Sequence, residues 1–264
     1  MSGDEVVVLA VAAMISVVTW WRWYRGAFVN TLVIRNASRF IIVATPIVCA
    51  ICLFAVLRCW AASDVQDSGT YLFFYMVIGA AWLGVCSGLF PFIGICARDD
   101  AAERQNVAAA WASAGALAGA TFCFAGGNIG NGPGWWVVIF SALLSTSSFF
   151  VLWALFEWIT DVSESITVER DSGAGLLLAG LLCGTGIVLG RAVAGDWISA
   201  SATVKDFIWI GWPVLALVGV AAVIERFSRV YLNRRPASVL FGIVFGGIYL
   251  VVSILYVFFW QAIP

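Results

Sequence analysis

What most constrains this chain is the recurrence of apolar runs about 20 residues long, the length a helix needs to cross the hydrocarbon core of a bilayer. Eight such runs stand in the sequence, at approximately 5–22, 38–60, 71–97, 106–126, 135–158, 173–194, 206–226 and 237–261. The first is the shortest. Of the 264 residues, 62% are hydrophobic and 11% charged, where a soluble domain carries roughly 45–50% and 25%. That balance excludes a soluble globular domain, a disordered chain and a basic nucleic-acid binder, so no nucleic-acid partner is expected. The expected fold is all-α: a polytopic membrane helical bundle of about eight transmembrane helices, forming one integral membrane domain over residues 1–264. The acidic start Met1-Ser2-Gly3-Asp4-Glu5, with no small-residue cleavage pattern ahead of Trp20-Trp21-Arg22-Trp23, predicts a retained first span and not a cleaved leader.

The charges are ordered along the chain. Connectors after the odd-numbered spans carry eleven of the fourteen basic residues, in the stretches 22–39, 98–104, 157–170 and 225–235. The other connectors carry only Arg58, Arg191 and Lys205. An excess of Lys and Arg in short loops marks the cytoplasmic side, which places the four charged connectors in the cytoplasm and both termini outside.

Those connectors share an ending. Arg35, Arg104, Arg170 and Arg235 each sit just before an even-numbered span, at spacings of 69, 66 and 65 residues. A fixed period is the mark of a repeat. The unit predicted here is a two-helix hairpin, present four times, over approximately 1–62, 63–127, 128–197 and 198–264. An even number of spans per unit makes the units parallel, not inverted. Three of the four even-numbered spans carry glycine at i and i+4: Gly115 and Gly119, Gly180 and Gly184 with Gly186 and Gly190, and Gly242 and Gly246. The second span has Ala44, Pro46 and Ala50 instead. Such spacing lets helix backbones approach closely in lipid, so the even-numbered helices are the expected inner ones.

The runs Glu103-Arg-Gln-Asn-Val-Ala-Ala-Ala110 and Ser163-Glu-Ser-Ile-Thr-Val-Glu-Arg-Asp-Ser-Gly-Ala-Gly175, each leading into a Gly-rich helix, resemble the YjfL-like bacterial inner-membrane proteins (the domain of unknown function 350 family). The likeness is clearest over residues 95–195. Asn106-Val-Ala-Ala109 fits that family's entry motif, while Ser172-Gly-Ala-Gly175 departs from it by losing the Asn. The resemblance implies a bacterial inner-membrane location and a link to envelope maintenance or stress, and it brings no catalytic residues.

Chemistry has little raw material. The sequence contains no histidine, which removes the commonest general base and metal ligand. Arg39, Arg58, Glu157, Arg191 and Glu225 fall near span ends, where long side chains can snorkel to water. The seven cysteines, including the pair Cys49-Ala-Ile-Cys52, sit mostly in apolar segments and read as packing residues. No cofactor, metal site or catalytic residue is expected.

Three weaker features remain. Ser141, Ser145 and Ser148 form a stripe on one face of the fifth span, read either as interhelical hydrogen bonding or as the lining of a polar path. The loop Gly126-Gly-Asn-Ile-Gly-Asn-Gly-Pro-Gly-Trp-Trp136 could aim N–H groups of Asn128, Gly130, Asn131 and Gly132 at an anion or headgroup, or serve as a rigid outer hairpin. Trp20-Trp-Arg-Trp-Tyr-Arg25 suits an interfacial anchor over anionic lipid. Two functions follow as expectations: a non-catalytic membrane scaffold or accessory subunit, with a soluble cytoplasmic partner or a second copy of itself, or a transporter or channel for a small neutral or weakly polar solute through a Gly/Ser-lined path.

Overall fold

The structure, a computed structural model, describes residues 1–28, 37–231 and 238–261. Among them it is helical throughout, with no strand beyond two isolated bridges at Ala61. The helices are α1 (Gly3–Phe28), α2 (Ala37–Trp60), the short α3 (Ser63–Gln66), α4 (Gly69–Ser87), α5 (Val107–Gly126), α6 (Trp135–Thr160), the short α7 (Val162–Thr167), α8 (Ser172–Val193), α9 (Ala200–Gly211), α10 (Pro213–Tyr231) and α11 (Val239–Gln261). A 3₁₀ turn (Phe90–Ile93) and a π-helix (Ala97–Glu103) lie between α4 and α5. Eight helical segments among the described residues are long and apolar enough to cross a membrane, and the protein is a polytopic all-α bundle.

The third and seventh spans are each interrupted. Gly88 ends α4 and Pro91 sits in the following 3₁₀ turn, since proline cannot supply the next helical N–H. Pro213 likewise opens α10 one residue after α9 stops. Helix α2, by contrast, runs through Pro46.

The even-numbered spans α2, α5, α8 and α11 stand side by side. Among the described helices, α5 and α8 share the most extensive contact, followed by α8 with α11 and α2 with α5. Of the most apolar stretch, 72% is buried in both α5 and α8, against 33% in α2 and 22% in α11. Two of the four expected inner helices are therefore central, and the other two are the ends of the row. The odd-numbered spans pack against this row: α1 on α4, α4 on α5 and α2, α6 on α5 and α8, and α9–α10 on α8.

Cross-connector contacts define two faces. On the N-terminal face, Trp135 donates to Asp4 at 3.2 Å and Trp197 N–H to Asn131 O at 2.8 Å, while Ala61 bridges Ile129 and Gly130. On the opposite face, Asn106 Nδ2 donates to Ile166 O at 2.6 Å, and the side chain of Arg98 lies against Gly26.

Candidate functional site

The glycines close the central contacts. A Cβ on Gly115 would fall 2.3 Å from Ala179 Cα, one on Gly119 2.5 Å from Leu182 O, one on Gly186 2.3 Å from Gly119 O, and one on Gly190 2.3 Å from Phe122 O. These positions join α5 to α8. A second glycine face of α8 meets α11: an added Cβ would fall 2.2 Å from Gly246 O at Gly180, 2.2 Å from Gly173 O at Gly242, 2.7 Å from Leu176 O at Gly246, and 2.6 Å from Ser253 Oγ at Gly184. Backbone meets backbone on both sides of α8, an approach that only glycine permits.

The serine stripe is not one lining. Ser145, fully buried, hydrogen-bonds to Cys123 O of α5 at 3.1 Å and to Ser141 O of its own helix at 2.9 Å. Beside it, Thr146 Oγ1 accepts from Trp82 Nε1 at 3.2 Å and ties α6 to α4. Ser141 lines a cavity on the N-terminal face, and Ser148 lines an apolar groove formed with Leu189, Ile208 and Trp212. The three hydroxyls share a helix face but meet three different environments, because α5, the connectors and α9–α10 cover that face in turn.

The loop after α5 does hold an anion, and the anion belongs to this chain. Asn131 N–H and Asn131 Nδ2 both donate to Asp196 Oδ1, at 2.7 and 3.0 Å. Asn128 spends its amide on Phe124 O at 2.8 Å. Gly130 adopts φ +104°, and a Cβ there would collide with Gly195. Gly132 lines the N-terminal-face cavity. Trp136 packs edge-on against Trp197, with ring centroids 5.2 Å apart. The loop is a clamp between two connectors, and Asp196 occupies the place assigned to an external headgroup.

On the opposite face the charged connectors are folded, not extended. Asp100, 8% exposed, accepts from Cys96 N–H at 2.9 Å and from Arg104 at 3.2 Å, which curls the chain into the π-helix. Glu157 accepts from the Ser163 N–H at 3.1 Å, fixing α7 beneath α6. Ala101, Val162 and Ile166 are fully buried. Three non-glycine residues, Gln105, Asp161 and Arg170, have φ between 50° and 56° and all lie on this face. Such left-handed backbone costs roughly 1–2 kcal/mol per residue and persists only where the surroundings hold it.

The two central helices enter the membrane in the same way. Asn106 Oδ1 accepts from the N–H groups of Ala108 and Ala109, and Asp171 Oδ1 from those of Gly173 and Ala174. Each cap follows a left-handed residue, Gln105 or Arg170, and each donates its own N–H to the carbonyl six residues back. Asn106 and Asp171 are 65 residues apart, one fewer than the spacing of Arg104 and Arg170. The cap is therefore the shared feature, with Asp171 doing what Asn106 does, and the two arginines are not equivalent. Arg104 is right-handed and paired with Asp100, whereas Arg170 holds the strained turn itself. Arg35 and Arg235 lie outside the described residues.

The tryptophans of α1 divide between core and surface. Trp20 Nε1 donates to Ala80 O at 3.0 Å and Trp23 Nε1 to Ile42 O at 3.1 Å, while Trp21 is exposed. Two of the three predicted interfacial anchors instead fasten α1 to α4 and α2. Glu225 is expected at a span end, within reach of water. It is 4% exposed, two turns before α10 ends. Cys49, Cys86 and Cys123 are buried, and burial pushes the Cys96 thiol above its ordinary value, which keeps it protonated and unreactive. No group of three metal-ligating residues occurs among the described residues.

Comparison of the chain with protein-family models, with curated proteins and with solved structures finds no match.

Proposed function

We propose that the protein is a non-catalytic membrane scaffold or accessory subunit whose face opposite the N-terminus receives a soluble partner. The observation that carries this reading is the folded state of the connectors there. The π-helix and α7 are pinned to each other and to the bundle by Asn106, Asp100 and Glu157, and they present Arg98, Asp99, Glu103, Glu164 and Glu169 on a shared surface. Connectors held in one conformation offer a partner a surface whose ordering cost is already met. The excess of basic residues in these connectors supports a cytoplasmic orientation for this face and an extracytoplasmic one for both termini. The likeness of the two connector motifs to YjfL-like proteins supports a place in a bacterial inner membrane.

Passage of a solute along the serine stripe is the weaker reading. Ser145 is spent on Cys123 O, and the glycine contacts leave α5, α8 and α11 touching along their length.

The test uses the full chain in its native membrane, with a photo-crosslinking residue at Glu164 or Asp99 and, as control, at the exposed apolar residue Trp209. A discrete adduct from the first two positions and none from Trp209 is expected. Equal adduct formation at all three positions, or none at any, contradicts a docking face.

A further inference from the structure

The N-terminal face holds a cavity of about 210 Å³ that neither the packing nor the docking face uses. It is roofed by the clamp loop and walled by α4, α6 and the start of α1. Two hydroxyls point into it from buried positions. Tyr75 is 8% exposed and Ser141 3% exposed, and neither side-chain oxygen makes a hydrogen bond among the described residues. Both are open to the cavity and bond to whatever fills it, water or solute.

The lining also sets the charge of that occupant. Glu5 and Asp64 are the charged residues among those lining the cavity, both acidic, and no Lys or Arg stands among them. Each carboxylate meets one nearby backbone N–H, Glu5 that of Ser2 at 2.7 Å and Asp64 that of Val65 at 3.0 Å, and neither is paired with a cation. Tyr71 and Trp197 add aromatic side chains to the same wall. Carboxylates, hydroxyls and aromatic rings around a small space are the elements that hold an ammonium group, through charge, donated hydrogen bonds and cation–π attraction. The volume is below the ~300–1,000 Å³ of pockets for drug-sized ligands, which limits the occupant to a few heavy atoms. One turn below Ser141 the space ends at Ser145, and Gly126 abuts Gly190.

We infer that this cavity is a blind binding site for a small alkylammonium solute arriving at the N-terminal face, with Tyr75 and Ser141 taking the ammonium hydrogens and Glu5 and Asp64 its charge. The inference stands apart from the docking face and does not depend on it.

Calorimetric titration of the full chain in lipid nanodiscs tests it, with ethylammonium, the neutral near-isostere ethanol, and Mg²⁺ as probes. Saturable binding of ethylammonium alone is expected. Tyr75→Phe should weaken it about fivefold, and Glu5→Gln with Asp64→Asn should abolish it, while the melting temperature shows that each variant is folded. The assignment is overturned if ethylammonium does not saturate, if ethanol or Mg²⁺ binds as well, or if a folded double variant binds ethylammonium unchanged. Should the double variant fail to fold, Tyr75→Phe alone decides: unchanged affinity there overturns the site.

Discussion

Pro46 lacks the N–H that would bond Ile42 O, four residues back in α2, yet the helix continues. The orphaned carbonyl is taken by Trp23 Nε1 at 3.1 Å from α1. An aromatic-rich run that reads as an interfacial anchor thus supplies a repair to a neighbouring helix. Replacing Trp23 with Phe keeps the ring and removes the donor, and should cost about 1 kcal/mol in reversible unfolding in detergent. In a Pro46→Ala background the residue-46 N–H takes over Ile42 O, and the Trp23→Phe cost should shrink toward zero. Equal costs in both backgrounds would count against the repair. The entry caps make a second residue-scale case. Asp171→Asn preserves the acceptor and should be nearly neutral, whereas Asp171→Ala should lose about 1 kcal/mol. Asn106 was legible as an entry residue because of its likeness to a family motif. Asp171 was not, because aligning the connectors on Arg104 and Arg170 displaces the second cap by one position. The left-handed turn that sets the register is a tertiary effect with no local sequence signal.

Helix α11 contains its own control for glycine packing. A Cβ at Gly242 would meet Gly173 O at 2.2 Å and one at Gly246 would meet Leu176 O at 2.7 Å, while Gly247, the next residue, has open space around it. Overpacking a tight contact costs typically 1–3 kcal/mol, so Gly242→Ala and Gly246→Ala should destabilise by about that much. Gly247→Ala should be neutral or slightly stabilising, because alanine is the better helix former. Equal effects at all three positions would mean that α8 and α11 do not touch as described. The i, i+4 spacing made these glycines readable as packing residues, yet spacing alone does not name the partner. That α8 carries two glycine faces, one for α5 and one for α11, becomes visible only when the neighbours are in place. The span limits were legible to within a few residues for most helices. The breaks at Gly88 and Trp212 were not, since hydropathy averages over them.

At the scale of the molecule, the ordering of charge foretold which connectors share a face, and the cross-connector hydrogen bonds put them there. What charge could not foretell is that one face is clamped by Asn131 on Asp196 and the other folded by Asp100 and Glu157. These are long-range or loop-specific bonds that no periodicity encodes. Between the faces, the row of α2, α5, α8 and α11 leaves the serine stripe interrupted at Ser145. Liposomes reconstituted with the protein should therefore shrink under a glycerol or urea gradient no faster than protein-free ones, as read by stopped-flow light scattering.

A sealed core beneath an open vestibule is tested by thiol accessibility in intact membranes. In a background without the native cysteines, Ser141→Cys and Ser145→Cys are treated with a small, membrane-impermeant methanethiosulfonate from the side of the N-terminus. Rapid labelling at position 141 and none at 145, one turn deeper, is expected. Labelling at 145, from either side, would open a polar path through the bundle and contradict the sealed core.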